Sequence, residues 1–142
     1  MALTTAERSQ LLDRVDLFDG LGGDPMQEIA DHAIEVDFPP ERTIARHGEI
    51  GTGFFLIVRG RVRVVHDGQV IAQLCPGEFF GELSLLDQMP HIASVIAQEP
   101  TTCLAIASWD FDRLLLEQPS MTVAILRTVA RRLRSVTDPQ RH

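Results

Sequence analysis

The sequence predicts a single domain of the α+β class that is mainly β, with an antiparallel jelly-roll-like β-barrel between N-terminal and C-terminal helices. Its 142 residues are enough to bury one hydrophobic core. Between about residues 34 and 107, short alternating runs end at glycine or proline, the pattern of many short strands. Helical spacing replaces this alternation at about 4–33 and 108–137. We therefore expect one domain over residues 1–142, built from a helical start, a β-roll and two final helices.

The N-terminal part is predicted to contain two helices. Thr4 and Glu7 have the spacing of a capping box, and apolar residues follow at helical intervals. The segment DLFDGLGG then interrupts the helix with three glycines. Asp24 is predicted to be the N-cap of a second helix, with Pro25 at its first position.

The β region contains one clear hairpin signal, the pair Asp67-Gly68 between two alternating runs. An Asp-Gly pair is typical of a two-residue type I′ turn. Short strands at close spacing favour an antiparallel sandwich or barrel. The other strands are predicted over IEVDF, RTIARHG and FFLIVRG before the hairpin, and near 92–97 and 102–107 after it.

The C-terminal part is predicted to form a helix over about 109–117, capped by Ser108, and a longer helix from Pro119 to near Thr137. Apolar residues of the longer helix form two adjoining stripes, and one stripe is expected to pack on the barrel. The other either pairs with the same helix of a second subunit, giving a homodimer through 119–137, or is buried within the monomer. The first stripe contains Val123, Leu126, Ala130 and Leu133, and the second contains Ile125, Val129 and Val136.

Charge and hydropathy exclude several partners. The net charge of −7 disfavours general nucleic-acid binding, and the arginines near the C-terminus are interpreted as helix-dipole partners or as a DNA contact. The N-terminus lacks the apolar segment of a signal peptide. The longest apolar run, Phe54 to Val58, is too short to span a membrane. We therefore expect a cytoplasmic protein without membrane contact.

The reactive side chains do not form a recognisable catalytic or metal-binding pattern. Cys75 and Cys103 do not make a CxxC pair and are expected to be small buried side chains. The histidines are scattered and include no His-x-His pair. No combination of nucleophile, base and orienting group follows from the motifs. Neither a metal site nor an enzyme is expected.

The stretch FFGELSLLDQMPHIASV, residues 79–95, is the main functional signal of the chain. It opens with Gly81 and Glu82 and reaches Pro90 and His91 before an apolar strand. Glycine lets a backbone approach a ligand closely, and the carboxylate and imidazole supply polar contacts. The stretch is therefore predicted to hold a small polar ligand.

These residues resemble the phosphate-binding cassette of the cyclic nucleotide-binding domain family, found in catabolite-activator-type transcription factors, cyclic-nucleotide-dependent kinases and gated channels. The cassette typically reads F-G-E, then hydrophobic, small and hydrophobic residues, and later P-R before a strand of small residues. The matching segments are 80–85 and 90–95, and glycines at positions 48, 53 and 60 fit the family's turns. The resemblance covers nearly the whole chain and implies a β-roll with its cassette at 79–95.

The resemblance implies that the ligand is cAMP, cGMP or a related nucleotide, and it implies no other cofactor. Gly81 would open a short helix whose free N–H groups favour an anion, and Glu82 would accept a hydrogen bond from the ribose 2′-hydroxyl. A carboxylate that only stabilises the start of this helix is the alternative interpretation of Glu82. The resemblance places the ligand contacts at Phe80, Gly81, Glu82, Leu83, Ser84, His91, Ile92 and Ala93.

Two residues depart from the family's pattern at the phosphate-binding end. His91 stands where the family has an arginine that binds the cyclic phosphate, and Ile92 stands where serine or threonine is common. An imidazole with a pKa near 6.5 is mostly neutral at pH 7, and losing a charged hydrogen bond costs about 1.5–3 kcal/mol. The sequence therefore predicts weak phosphate binding. His91 is either an ordinary loop residue, a pH-sensitive phosphate contact, or part of a pocket adapted to another ligand.

The sequence leaves two functional hypotheses. The first is a stand-alone cyclic nucleotide-binding-like sensor whose C-terminal helices move on binding and signal to an effector protein or a second subunit. The second is a relative of that family that acts as a protein-interaction module without tight cyclic nucleotide binding. In the family's transcription factors a helix-turn-helix domain follows the long helix, whereas this chain ends at His142, so no direct DNA binding is expected.

Overall fold

A computed structural model of the chain describes residues 2–137, in which helices flank two β-sheets. Helices precede and follow the strands, and one short helix lies between the sixth and seventh strands. The helical elements are α1 Thr5–Asp13, a one-turn 3₁₀ helix Asp16–Phe18, α2 Gly23–His32, α3 Glu82–Asp87, α4 Ser108–Glu117 and α5 Pro119–Thr137. The strands are β1 Ile34–Phe38, β2 Thr43–Ala45, β3 Gly53–Arg59, β4 Val62–His66, β5 Gln69–Leu74, β6 Phe79–Phe80, β7 Ser94–Ala97 and β8 Thr101–Ala107.

The strands form two antiparallel sheets of four strands each. The first sheet has the order β1-β8-β3-β6, and the second has the order β2-β7-β4-β5. Within the described residues every pairing of neighbouring strands is antiparallel, so alternate side chains face opposite sides of each sheet. The predicted α+β, mainly β class with a jelly-roll-like β-roll is confirmed.

Two local signals of the sequence are confirmed at atomic detail. The Thr4 hydroxyl accepts a hydrogen bond from the Glu7 N–H at 3.1 Å, and the Glu7 carboxylate accepts one from the Thr4 N–H at 2.9 Å, which completes the capping box of α1. Between β4 and β5, Asp67 and Gly68 have φ values of 51° and 77°. Positive φ at both central residues is the requirement of a type I′ turn.

Two predicted helix caps are wrong. Helix α2 begins at Gly23 with Gly22 as its N-cap, so Asp24 lies in the first turn and makes no capping hydrogen bond. Helix α4 begins at Ser108 itself, since β8 leads directly into it and the Ser108 N–H donates to the Thr52 carbonyl at 2.9 Å. In both cases the preceding segment determines where the helix starts. The preferences of the nearby residues do not reveal this position.

Aromatic packing holds the start of the cassette between two hydrophobic cores. The sequence did not predict β6, whose two residues pair with β3. Phe79 packs on Phe54 at 5.5 Å between ring centroids, in the core shared with the helices. Phe80 stacks on Phe55 at 5.2 Å, in the core between the sheets. Because burial of a phenylalanine contributes about 1.5–3 kcal/mol, these two rings fix the chain just before Gly81.

Helix α5 packs one face on the domain and exposes another. Its buried residues are Met121, Ala124, Ile125 and Thr128. Of the second predicted stripe, Ile125 is buried, Val129 is partly buried and Val136 is exposed. All four residues of the first stripe are exposed. The second stripe thus packs inward through Ile125 and Val129, mainly against the 3₁₀ helix and α4 rather than on the barrel as predicted, and the alternative in which both stripes are buried in the monomer is wrong.

The environments of the two cysteines test a further prediction. Cys103 is buried, but Cys75 is exposed in the turn after β5, so the predicted burial is confirmed for one cysteine and wrong for the other.

In the part of the chain that the structure describes, no helix is both long and apolar enough to cross a membrane.

Candidate ligand-binding site

A cavity of about 260 Å³ opens between α3 and the segment that leads into β7. Folding brings both ends of the 79–95 cassette to this cavity, and all eight residues that the resemblance assigned to ligand contact lie in its wall. Their contact with a ligand stays a prediction. The lining residues are Val64, Phe80, Gly81, Glu82, Leu83, Ser84, Asp87, Met89, Pro90, His91, Ile92, Ala93 and Val95.

Gly81 sets the path of the chain into α3. Its φ of +95° lies in the left-handed region, which favours glycine. A Cβ atom at this position would lie 2.5 Å from the carbonyl oxygen of Gly53 in β3. This close approach lets α3 begin directly beside β3, which places Glu82 at the cavity wall.

Glu82 is a largely buried carboxylate, with a side chain that is 13% exposed. Burial raises its pKa, while hydrogen bonds from the N–H groups of Glu82 and Leu83 and the charge of Arg132 act in the opposite direction. Glu82 lies in the first turn of α3, where a carboxylate is favourable for the helix dipole, so both interpretations of Glu82 stay predictions. It also faces the cavity as a hydrogen-bond acceptor.

Arg132 of α5 reaches the cassette, and the sequence did not identify it as a site residue. Its Nη1 lies 3.5 Å from Glu82 Oε2, and its Nη2 lies 2.9 Å from Asp16 Oδ1. Its guanidinium carbon lies 5.5 Å from the centre of the Phe79 ring. The seven-residue spacing from the buried Ile125 is a sequence signal that Arg132 faces inward, but no local pattern links it to a carboxylate 50 positions away.

The Ser84 hydroxyl is engaged in hydrogen bonds within the protein. It accepts from the Gly51 N–H at 2.7 Å and donates to the Met89 carbonyl at 2.6 Å. Ser84 is buried, so these bonds hold the loop before β3 and the end of α3 together. A ligand would have to displace the Met89 carbonyl to receive the hydroxyl proton.

His91 is held in place through its backbone. Its N–H donates to the Glu49 carbonyl at 2.9 Å, and its carbonyl accepts from the Gly48 N–H at 3.0 Å. Partial burial lowers the pKa of the imidazole, and the negative charge of Glu49 opposes that shift. A Cβ atom on Gly51 would lie 3.0 Å from the imidazole Cε1, so the ring packs against this loop. The imidazole is therefore mainly neutral at pH 7.

The two residues after His91 supply no side-chain hydrogen-bond donor. Ile92 is 73% exposed, and Ala93 is half-buried. The carbonyl of Ile92 lies 3.0 Å from Nδ1 of His66, which joins this segment to the end of β4. Strand β7 begins at Ser94, the first residue of this segment that pairs with β4, rather than near Ile92 as predicted.

Two histidines beside the rim contact each other without forming a metal site. The rings of His47 and His66 are 5.6 Å apart between centroids. Within residues 2–137, no group of three or more His, Cys, Asp or Glu side chains is arranged to hold a metal ion.

A family model described as "Cyclic nucleotide-binding domain" matches residues 35–118, more than half of the chain. The chain belongs to the cyclic nucleotide-binding domain family. The match includes the entire 79–95 cassette and all but the helical ends of the fold. The resemblance seen in the sequence is therefore confirmed at the level of the family.

Individual relatives of this cyclic nucleotide-binding domain include a receptor protein and a protein kinase. It is 33% identical over 123 residues to the cyclic AMP receptor protein of Thermus thermophilus, covering 83% of this chain and 57% of that protein. It is 31% identical over 110 residues to a cGMP-dependent protein kinase of Toxoplasma gondii, covering 78% of this chain and 11% of the kinase. The domain thus spans only part of these curated relatives.

A solved structure has the same fold along nearly its whole length. It is the N-terminal domain of a transcriptional regulator from Streptomyces coelicolor, with a TM-score of 0.78 and 32% sequence identity. The alignment covers 90% of this chain and 92% of that one.

Proposed function

We propose that the chain is a regulatory module that binds a nucleotide-type ligand at the 79–95 cassette and responds through α5. The contact between Glu82 and Arg132 carries this proposal, since it joins the cavity wall to the last helix at 3.5 Å. The names of the relatives support regulation rather than catalysis, because they include a cyclic AMP receptor and a transcriptional regulator. The unpaired state of both cysteines is consistent with a reducing compartment such as the cytoplasm.

The response would begin with competition for one carboxylate. A ligand hydroxyl that donates to Glu82 competes with the guanidinium of Arg132, which then keeps its contact with Asp16. From residue 130 to residue 137, Arg132 is the only residue of α5 that is not exposed. Weakening its contact with the cassette is therefore expected to free the C-terminal half of α5, while the buried residues hold the first half.

The exposed stripe of α5 is the proposed receiver of this signal. Val123, Leu126 and Leu133 are 42%, 65% and 63% exposed, at the spacing of a two-helix seam. A second copy of the chain covers this stripe in a homodimer, and a separate effector protein is the other partner that fits the proposal. Direct DNA binding is not part of the proposal.

Hydrogen exchange of α5 tests the coupling. Saturating cAMP or cGMP is expected to speed exchange of the amides after Val129, and Arg132→Ala is expected to show fast exchange without ligand. Arg131→Ala is the matched control, since Arg131 is exposed and makes no ion pair among the described residues. Unchanged exchange in α5 at saturation would contradict the proposal.

Light scattering after size-exclusion chromatography tests the homodimer. We expect a dimer at micromolar concentration and a monomer for Leu126→Glu, because a charge in the seam opposes association. Leu116→Glu on α4 is the control, since Leu116 is 85% exposed and lies outside the stripe. A monomeric wild-type chain across micromolar concentrations would exclude the homodimer.

The bound Ser84 hydroxyl and the neutral His91 favour a second candidate function, a protein-interaction module without tight cyclic nucleotide binding. Calorimetric titration of His91→Arg with cAMP and cGMP separates the two functions. If the cavity is otherwise intact, the guanidinium is expected to raise affinity about tenfold or more. No gain in the variant, together with no binding by the wild-type chain, would favour the interaction module.

A further inference from the structure

The charges in the cavity wall are unfavourable for an anionic ligand. Among the described residues that line the cavity, Glu82 and Asp87 are carboxylic acids and none is an arginine. His91 is the remaining titratable side chain of the wall, and partial burial lowers its pKa. At neutral pH the wall therefore presents negative charge to a bound molecule.

Two arginines close to the cassette are already paired with carboxylates. The Arg132 guanidinium does not line the cavity and lies 2.9 Å from Asp16 and 3.5 Å from Glu82. On the side of the rim, Arg46 lies 3.7 Å from Glu49, whose negative charge also acts on His91. A phosphate in the cavity would thus face carboxylates without an uncompensated positive charge from these residues.

One hydrogen-bond donor of the cavity wall is also in use. Ser84 donates its hydroxyl proton to the Met89 carbonyl at 2.6 Å. An anion that accepted this proton would have to replace the Met89 carbonyl, and it would gain no charge partner from Ser84.

The cavity instead offers a hydrogen-bond acceptor, the Glu82 carboxylate, surrounded by apolar side chains. The Glu82 carboxylate can accept a hydrogen bond from a ligand hydroxyl or amino group in competition with Arg132. The apolar side chains suit the faces of a ring, because such a ring removes apolar surface from water without needing hydrogen bonds. These apolar residues are Val64, Phe80, Leu83, Met89, Pro90, Ile92, Ala93 and Val95.

We infer that at neutral pH the cavity prefers an uncharged ribonucleoside to the corresponding cyclic nucleotide. A ribonucleoside supplies hydroxyl donors to Glu82 and a ring to the apolar walls, and it brings no phosphate to the neutral His91 end. This inference rests on the proposed function, since it concerns the ligand of the same regulatory site.

Calorimetric titration with matched pairs of probes tests the inference. Adenosine and cAMP differ at the cyclic phosphate, as do guanosine and cGMP. With the wild-type chain at pH 7.5, we expect the better nucleoside to bind about tenfold or more tightly than its cyclic phosphate. In His91→Arg, the preference is expected to shift toward the cyclic phosphate, because the guanidinium restores a charged partner.

The outcomes separate this inference from the proposed function. If cAMP or cGMP binds as tightly as its nucleoside or more tightly, the inference is wrong and the regulatory site stands. If neither nucleoside binds, the inference is wrong. If, in addition, none of the four probes changes the hydrogen exchange of α5 at millimolar concentration, the proposed function fails with it.

Discussion

The two ends of the cassette are built in different ways although both line one cavity. The first end, around Gly81 and Glu82, is fixed by side-chain packing, a backbone contact with β3 and an ion pair with α5. The second end, around His91 and Ile92, is held mainly by backbone hydrogen bonds, and its Ile92 side chain is largely exposed. The first end is integrated into the domain and the second lies on its rim.

The difference between the two ends of the cassette indicates where substitutions are tolerated. At the first end, a changed side chain disturbs β3, α3 and α5 together, because all three meet there. At the second end, backbone bonds keep the path of the chain even when the side chain changes. A side-chain substitution there is therefore expected to alter the chemistry of the site at little cost to the fold.

Gly81→Ala is the largest expected disturbance of the first end. The methyl group would meet the Gly53 carbonyl at 2.5 Å, and the residue would keep a φ of +95°. We expect the free energy of unfolding to fall by about 2–4 kcal/mol, measured by urea denaturation. Gly48→Ala is the matched control, since its φ is +86° but its Cβ would meet no atom within 4 Å. Equal losses in the two variants would show that the contact with β3 contributes nothing.

Breaking the ion pair between Glu82 and Arg132 is expected to lower the free energy of unfolding less than Gly81→Ala does. A double-mutant cycle of Arg132→Ala and Glu82→Gln is expected to give a coupling free energy of about 1 kcal/mol, because the carboxylate is largely buried and the guanidinium is shared with Asp16. Thermal or urea unfolding of the four proteins measures it. A cycle of Arg131→Ala with Glu82→Gln should show no coupling, and equal values in both cycles would refute a specific contact.

The two ends should give opposite pH dependences of stability. Burial raises the pKa of Glu82 in the folded state, so the folded chain binds more protons and its stability falls as pH rises above about 4.5 toward that raised value. Burial lowers the pKa of His91, so its contribution to stability falls as pH decreases below about 6.5.

Urea midpoints between pH 4 and pH 8 measure these slopes. Glu82→Gln is expected to remove the decline above pH 4.5, and His91→Gln is expected to reduce the loss below pH 6.5. The two variants serve as controls for each other, because each should change one pH window and leave the other unchanged. A variant that alters both windows equally would show that the ends do not titrate separately.

Much of the fold follows from local sequence. The Thr4 capping box and the Asp67-Gly68 turn need only residues close in the chain, and both are confirmed. The predicted helix caps at Asp24 and Ser108 are wrong, because the preceding element determines where each helix starts. The exposure of Cys75 was also mispredicted, because an apolar neighbourhood in the sequence does not show which side of a turn faces solvent.

The sequence by itself determined the family, the position of the cassette and the presence of His91 where the family's pattern has an arginine, since each depends on residue identity at fixed spacing. Only the tertiary structure decided what surrounds those residues. It brought Arg132 to Glu82 from another helix, engaged the Ser84 hydroxyl with Gly51 and Met89, and partly buried the imidazole. Charge compensation and burial depend on distances between parts of the chain that are remote in sequence, and these distances exist only in the folded molecule.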